Sequence, residues 1–216
     1  MIQPVSITVQ KTARYFILSP KSFEEVKSVV FVLHGYAQAA SEFLTQFESI
    51  SGDAVAIIAP EGLHRFYARG GAGNVVASWM TKEDRENDIR DYISFLDEMR
   101  TAVIAKYPNL EKEFVLGFSQ GGATASRWVC AGNFNPDRLI LWCAFFPPDV
   151  KVHLNENVAI TIVTASNDRF FSNEEAASQI QLMRASHPKL LHVHFEGEHE
   201  IHTATLQDIF SKLMVP

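Results

Sequence analysis

In the stretch Gly117-Phe118-Ser119-Gln120-Gly121 a serine stands two residues from a glycine on either side. The apolar run Phe114-Val115-Leu116 just before it reads as a short buried strand, and Ala123-Thr124-Ala125-Ser126-Arg127-Trp128 just after it reads as a helix. A sharp strand-to-helix turn with the pattern G-x-S-x-G lifts a serine hydroxyl out of the chain as a nucleophile. The glycines have a physical reason. The turn forces the serine backbone into a strained conformation, and strand and helix then pass too close for a Cβ. Taken alone, the same residues also describe a glycine-rich turn in which Ser119 only caps a helix.

A serine hydroxyl is a weak nucleophile near neutral pH and needs a base, which an acid must orient. With this kind of turn the order along the chain is serine, acid, histidine, each beyond the C-terminal end of a strand. The strand expected at 159–164 runs into Ala165-Ser166-Asn167-Asp168, and the one at Leu191–Phe195 runs into Glu196-Gly197-Glu198-His199. Ser119, Asp168 and His199 are therefore the expected nucleophile, orienting acid and general base. Asp149 follows a strand one position too early and is the competing acid; Asp137 precedes its strand and sits at the wrong end of the sheet. His202, at the start of the last helix, competes as base.

The histidines at 192, 194, 199 and 202 also raise metal binding. His199-Glu200-Ile201-His202 has two residues between its histidines rather than the three of the zinc motif, so no metal and no cofactor is expected. Negative charge developing on a substrate oxygen needs backbone donors. One is the amide of Gln120, directly after the nucleophile and at the positive end of its helix. The other comes from Leu33-His34-Gly35-Tyr36-Ala37-Gln38, beyond the strand at 29–33, and is assigned to the amide of Tyr36. His34 reads as a residue that organises this loop. Phe43, Trp79, Met80, Phe145, Phe146 and Phe170 fall in loops or element ends near the expected site and are candidates to line a substrate pocket.

The elements that must position these groups alternate. Strands are expected at 5–9, 14–18, 29–33, 54–59, 114–116, 139–144, 159–164 and Leu191–Phe195. Helices are expected at 39–50, 84–107, after Ser119, at Asn173–Ser186 and at 202–214. In the long helix, Ile89, Ile93, Leu96, Met99 and Val103 keep helical spacing, and Pro108 stops it. Strands separated by helices predict a mainly parallel sheet covered on both faces, an α/β fold. The stretch 60–80 has four glycines, several aromatics and no clean periodicity; it reads as a long connection forming a wall of the binding site.

The whole chain is ordinary in bulk. Of its 216 residues 47% are hydrophobic and 20% charged, which suits one α/β domain over 1–216. A net charge of −6 argues against nucleic acid or an anionic membrane as partner. No stretch has the length and apolarity of a membrane span and none reads as a signal peptide. The two cysteines, Cys130 and Cys143, read as small core residues, and a cytoplasmic location is expected.

Leu33-His34-Gly35-Tyr36, Gly117-Phe118-Ser119-Gln120-Gly121-Gly122, Asn167-Asp168 and Gly197-Glu198-His199 together make the chain resemble an α/β-hydrolase. More narrowly, it resembles the small phospholipase/carboxylesterase family that includes acyl-protein thioesterases, over nearly the whole chain. The resemblance implies a serine hydrolase acting on small-molecule carboxylic esters through an acyl-enzyme. Thioesters and lysophospholipids are alternative substrates, and a catalytically dead binding protein of the same fold is the alternative outside enzymes. Two segments depart from the family pattern. The loop at 34–38 reads H-G-Y-A-Q rather than H-G-x-G-D, and the histidine follows Gly-Glu. Both bear on substrate preference.

Overall fold

The computed structural model describes residues 1–18, 20, 22–152 and 154–214. A seven-stranded sheet is built from β1 (Tyr15–Leu18), β2 (Ser28–Leu33), β3 (Val55–Pro60), β6 (Lys112–Phe118), β7 (Arg138–Trp142), β8 (Ala159–Ala165) and β9 (Leu191–Phe195). Their order across the sheet is β1-β3-β2-β6-β7-β8-β9. Only β1 runs antiparallel to its neighbour. The helices are α1 (Ala40–Thr45), α2 (Arg85–Ile104), α3 (Gln120–Ala131), α4 (Asn173–Ser186) and α5 (Thr203–Leu213).

Strands buried on both faces are why β2 and β3 read as continuous apolar runs. Alternate residues of β2 feed separate cores. Val29, Phe31 and Leu33 pack with α2 and α3 through Tyr92, Leu96, Met99, Ala125 and Trp128. Val30 and Val32 pack with α1 and α5 through Phe43, Leu44, Leu206, Ile209 and Phe210. The chain steps from β2 to β3 on one side and then crosses to β6 on the other side of β2. Such a reversal opens a crevice beyond the C-terminal strand ends, and the loops after β2 and β6 flank it.

Three expectations change. No strand forms at 5–9, where Val5 and Ile7 are almost fully exposed. Their alternation has no buried face to rest on, and alternation alone does not supply a partner strand. The helix expected at 39–50 stops at Thr45 and is followed by a single 3₁₀ turn, Glu48–Ile50. The stretch 60–80 is not irregular: it holds a hairpin, β4 (His64–Arg69) and β5 (Ala72–Ser78). Arg69 pairs with Ala72 around Gly70-Gly71, both with positive φ (50° and 102°). A two-residue loop with both φ positive matches the twist of a hairpin, and glycine adopts it without a Cβ clash.

Candidate active site

Ser119 follows β6 directly and sits at the N-terminus of α3 with φ 54° and ψ −119°. Its amide donates to Trp142 O (3.0 Å), which ties the turn to the end of β7. A Cβ on Gly117 would run into the carbonyl of Gly121, and one on Gly121 into the carbonyl of Leu33. The glycine spacing is thus a close-approach requirement between β6, α3 and β2.

Asp168 and His199 arrive side by side because the ladder between β8 and β9 continues past both strands. Ser166 N donates to Phe195 O (3.0 Å) and Asn167 N to Gly197 O (2.9 Å). Asp168 Oδ2 then lies 2.8 Å from His199 Nδ1. The other carboxylate oxygen accepts from the Phe170 amide at 2.8 Å. Both side chains are buried, 4% and 7% exposed. A carboxylate at Nδ1 keeps the ring proton there and leaves Nε2 as the acceptor. Nε2 of His199 is buried and has no hydrogen-bond partner among the described residues. The ring is held between Phe118 (centroids 4.9 Å) and Phe170 (4.6 Å, edge-on).

The competitors are engaged elsewhere. His202 stacks on Phe195 and its Nδ1 pairs with Thr205 Oγ1 at 2.8 Å, inside the first turn of α5. Asp149 accepts a bidentate pair from Arg127, 2.9 Å to each oxygen, and also meets Arg85. Hydrogen bonding to Arg127 lowers its pKa to about 2. Asp137 accepts from the Glu113 amide at the far end of the sheet. His192 Nε2 and His194 Nδ1 both meet Thr164 Oγ1 at 2.9 Å on the edge of the sheet.

The loop after β2 is braced from several sides. His34 is fully buried, with Nδ1 on Gly35 O (2.7 Å) and Nε2 accepting from Gly62 N (3.0 Å). Burial pushes its pKa down, in keeping with a neutral ring that donates at one nitrogen and accepts at the other. Gly35 N donates to Gln38 Oε1, while Ala37 N donates to Ala77 O and Ala77 N to Gln38 O. The hairpin strand β5 therefore extends onto this loop. Tyr36, between those anchors, has an amide that donates to no protein acceptor among the described residues. The amide of Gln120, first residue of α3, has no acceptor within its helix. Its side chain accepts from Trp79 N and donates to Met80 O, both at 3.2 Å.

A cleft of about 250 Å³ opens at Ser119 and Gln120, walled by Ala123, Cys143, Ala144, Phe145, Phe170 and Phe171. Phe145 and Phe170, expected at a pocket, line it. Phe43 and Trp79 lie in the core, the latter donating from its indole to His34 O (2.8 Å). Phe146 packs against the core, and Met80 meets Gln120 through its carbonyl. Cys143 and Phe171 were not expected; Phe171 could have been suspected as the next residue after Phe170.

No protein-family model matches the sequence, and no curated protein matches it. Solved structures do. Acyl-protein thioesterase 2 of Zea mays superposes with a TM-score of 0.70 at 14% identity, over 94% of this chain and 98% of that one. A carboxylesterase from Mesorhizobium loti gives 0.71 at 17% identity, over 94% and 95%. A Bacillus cereus carboxylesterase gives 0.68 at 14% identity, over 93% and 94%. The fold is that of an α/β-hydrolase. Tyr36, Phe145 and Phe170 stand on loops beyond strand ends of this fold.

Proposed function

We propose that this α/β-hydrolase is a serine esterase acting through an acyl-enzyme, with Ser119 as nucleophile, His199 as general base and Asp168 as its orienter. The observation that carries the reading is the His199 ring, bonded to Asp168 at Nδ1 with a buried Nε2 that has no partner among the described residues. In the reaction, Nε2 takes the Ser119 proton as Oγ attacks the ester carbonyl. The amides of Tyr36 and Gln120 hold the oxyanion, each donor lowering the barrier by about 3–4 kcal/mol. Nε2–H then protonates the leaving alcohol, and water repeats the sequence on the acyl-serine. The walls contributed by Phe145, Phe170 and Phe171 suit an uncharged, apolar acyl group. In this reading the enzyme is cytoplasmic and works on small esters as one domain; among the described residues no helix is long and apolar enough to cross a membrane.

A fluorophosphonate probe should label the wild-type protein at Ser119, and nitrophenyl esters of graded chain length should be hydrolysed. Ser119→Ala should lose the label and all but a trace of turnover while keeping its circular dichroism spectrum. Near wild-type turnover in that variant ends the serine-hydrolase reading. An unlabelled, inactive wild type supports a binding protein instead.

A further inference from the structure

Cys143 has no role in the hydrolytic scheme, yet its backbone is specialised. It follows β7 with φ 47°, a conformation that side chains with a Cβ rarely adopt. Its amide still bonds to Val163 O (2.8 Å), so the residue stays on the sheet while its side chain is turned. The thiol lies against the acid and base: Sγ, a carboxylate oxygen of Asp168 and a ring nitrogen of His199 are within 4.8 Å of one another. Cys143 also lines the cleft that opens at Ser119, from a residue that is 2% exposed. Burial, followed by the Asp168 charge, pushes the thiol pKa well up, and the resting group is protonated.

Thiolate, carboxylate and imidazole form the mixed S, O and N set that suits zinc and heavier thiophilic cations rather than magnesium or calcium. Zinc bonds of about 2.0–2.3 Å put tetrahedral ligand atoms about 3.3–3.8 Å apart, so a separation at the 4.8 Å limit closes by about an ångström while the Asp168–His199 pair, now at 2.8 Å, opens by about half an ångström. Asp168 and His199 both stand in loops beyond their strands rather than within the sheet. A divalent cation also removes the reason for the thiol to stay protonated, because a coordinating thiol is deprotonated outright.

We propose that Cys143, Asp168 and His199 form an inhibitory site for a thiophilic divalent cation of the zinc class. The thiol proton leaves to solvent as the sulfur–metal bond forms. The Nδ1 proton relocates to Nε2 as Nδ1 and the carboxylate bind the metal. Thiolate and carboxylate then balance the two positive charges, and Nε2, now a donor, cannot accept the serine proton. The inhibitory consequence rests on the serine-esterase reading; the ligation does not.

Cadmium chloride titrated into the metal-free, full-length protein should raise a thiolate-to-cadmium charge-transfer band that saturates at one equivalent and is bleached by zinc. The band should persist in Cys130→Ala and vanish in Cys143→Ala, with Cys143→Ser as the second variant should the alanine not fold. Zinc should inhibit ester hydrolysis, and a chelator should restore it. The half-inhibiting zinc concentration should rise at least about tenfold in the Cys143 variants, the cost of losing even an outer-shell partner. No band in the wild type, a band that survives loss of Cys143, or unchanged zinc inhibition in the Cys143 variants overturns the proposal. A Cys143-dependent band in a protein without esterase activity upholds the site and overturns the catalytic reading alone.

Discussion

Asp168 divides its two oxygens between different tasks, one on the Phe170 amide and one on His199 Nδ1. Asp168→Asn keeps an oxygen for the amide but sets an NH₂ against Nδ1, which forces the ring proton onto Nε2. Steady-state kinetics should show kcat down about 10⁴-fold with little change in Tm; the same loss in Asp149→Asn alone would move the acid to position 149. His199→Ala should be equally inactive and His202→Ala should retain activity, since the His202 ring is committed to Phe195 and Thr205. The reverse pattern in an ester-hydrolysis assay would reassign the base. The meeting of Asp168 and His199 was legible in the sequence because each stands just beyond a strand, in the order expected of an acid and a base after Ser119. The pocket was less legible. Phe43 and Phe145 are chemically alike, and only the packing of α1 against Phe118 decides that Phe43 belongs to the core.

At the scale of elements, the Asp149 carboxylate joins α3 through Arg127 to the start of α2 through Arg85. Arg127 is 8% exposed on its side chain, so its charge depends on this partner. The Asp149 pKa is lowered to about 2, first by hydrogen bonding to Arg127, against about 3.9 in an unfolded chain. A carboxyl depressed by folding contributes stability above the unfolded value and loses it as pH falls through the folded one. Asp149→Asn should therefore lower Tm near neutral pH, and thermal melts should show the gap to wild type closing between about pH 4 and 2. A gap that is constant down to pH 2 would contradict the pairing. Element types were readable wherever a segment was buried on both faces or carried a full amphipathic period, as in β2 and α2. The hairpin at 64–78 escaped because its strands are largely exposed and lack a clean alternation, although Gly70-Gly71 carried the turn signal. The failure at 5–9 is the converse: an alternating pattern with nothing in the fold to cover it.

For the molecule as a whole, the parallel sheet and its reversal beside β2 decide where chemistry is assembled, and strand order is a property that local sequence does not encode. At Gly117 and Gly121 no layer of side chains separates β2, β6 and α3, so main chain rests on main chain. Contacts of that kind leave no room for an added atom, and sequence drift cannot tune them. Phe145, Phe170 and Phe171 stand instead on loops at the cleft, apart from that joint. A serine carried on such a joint is held by backbone contacts rather than by side chains that a substitution would loosen.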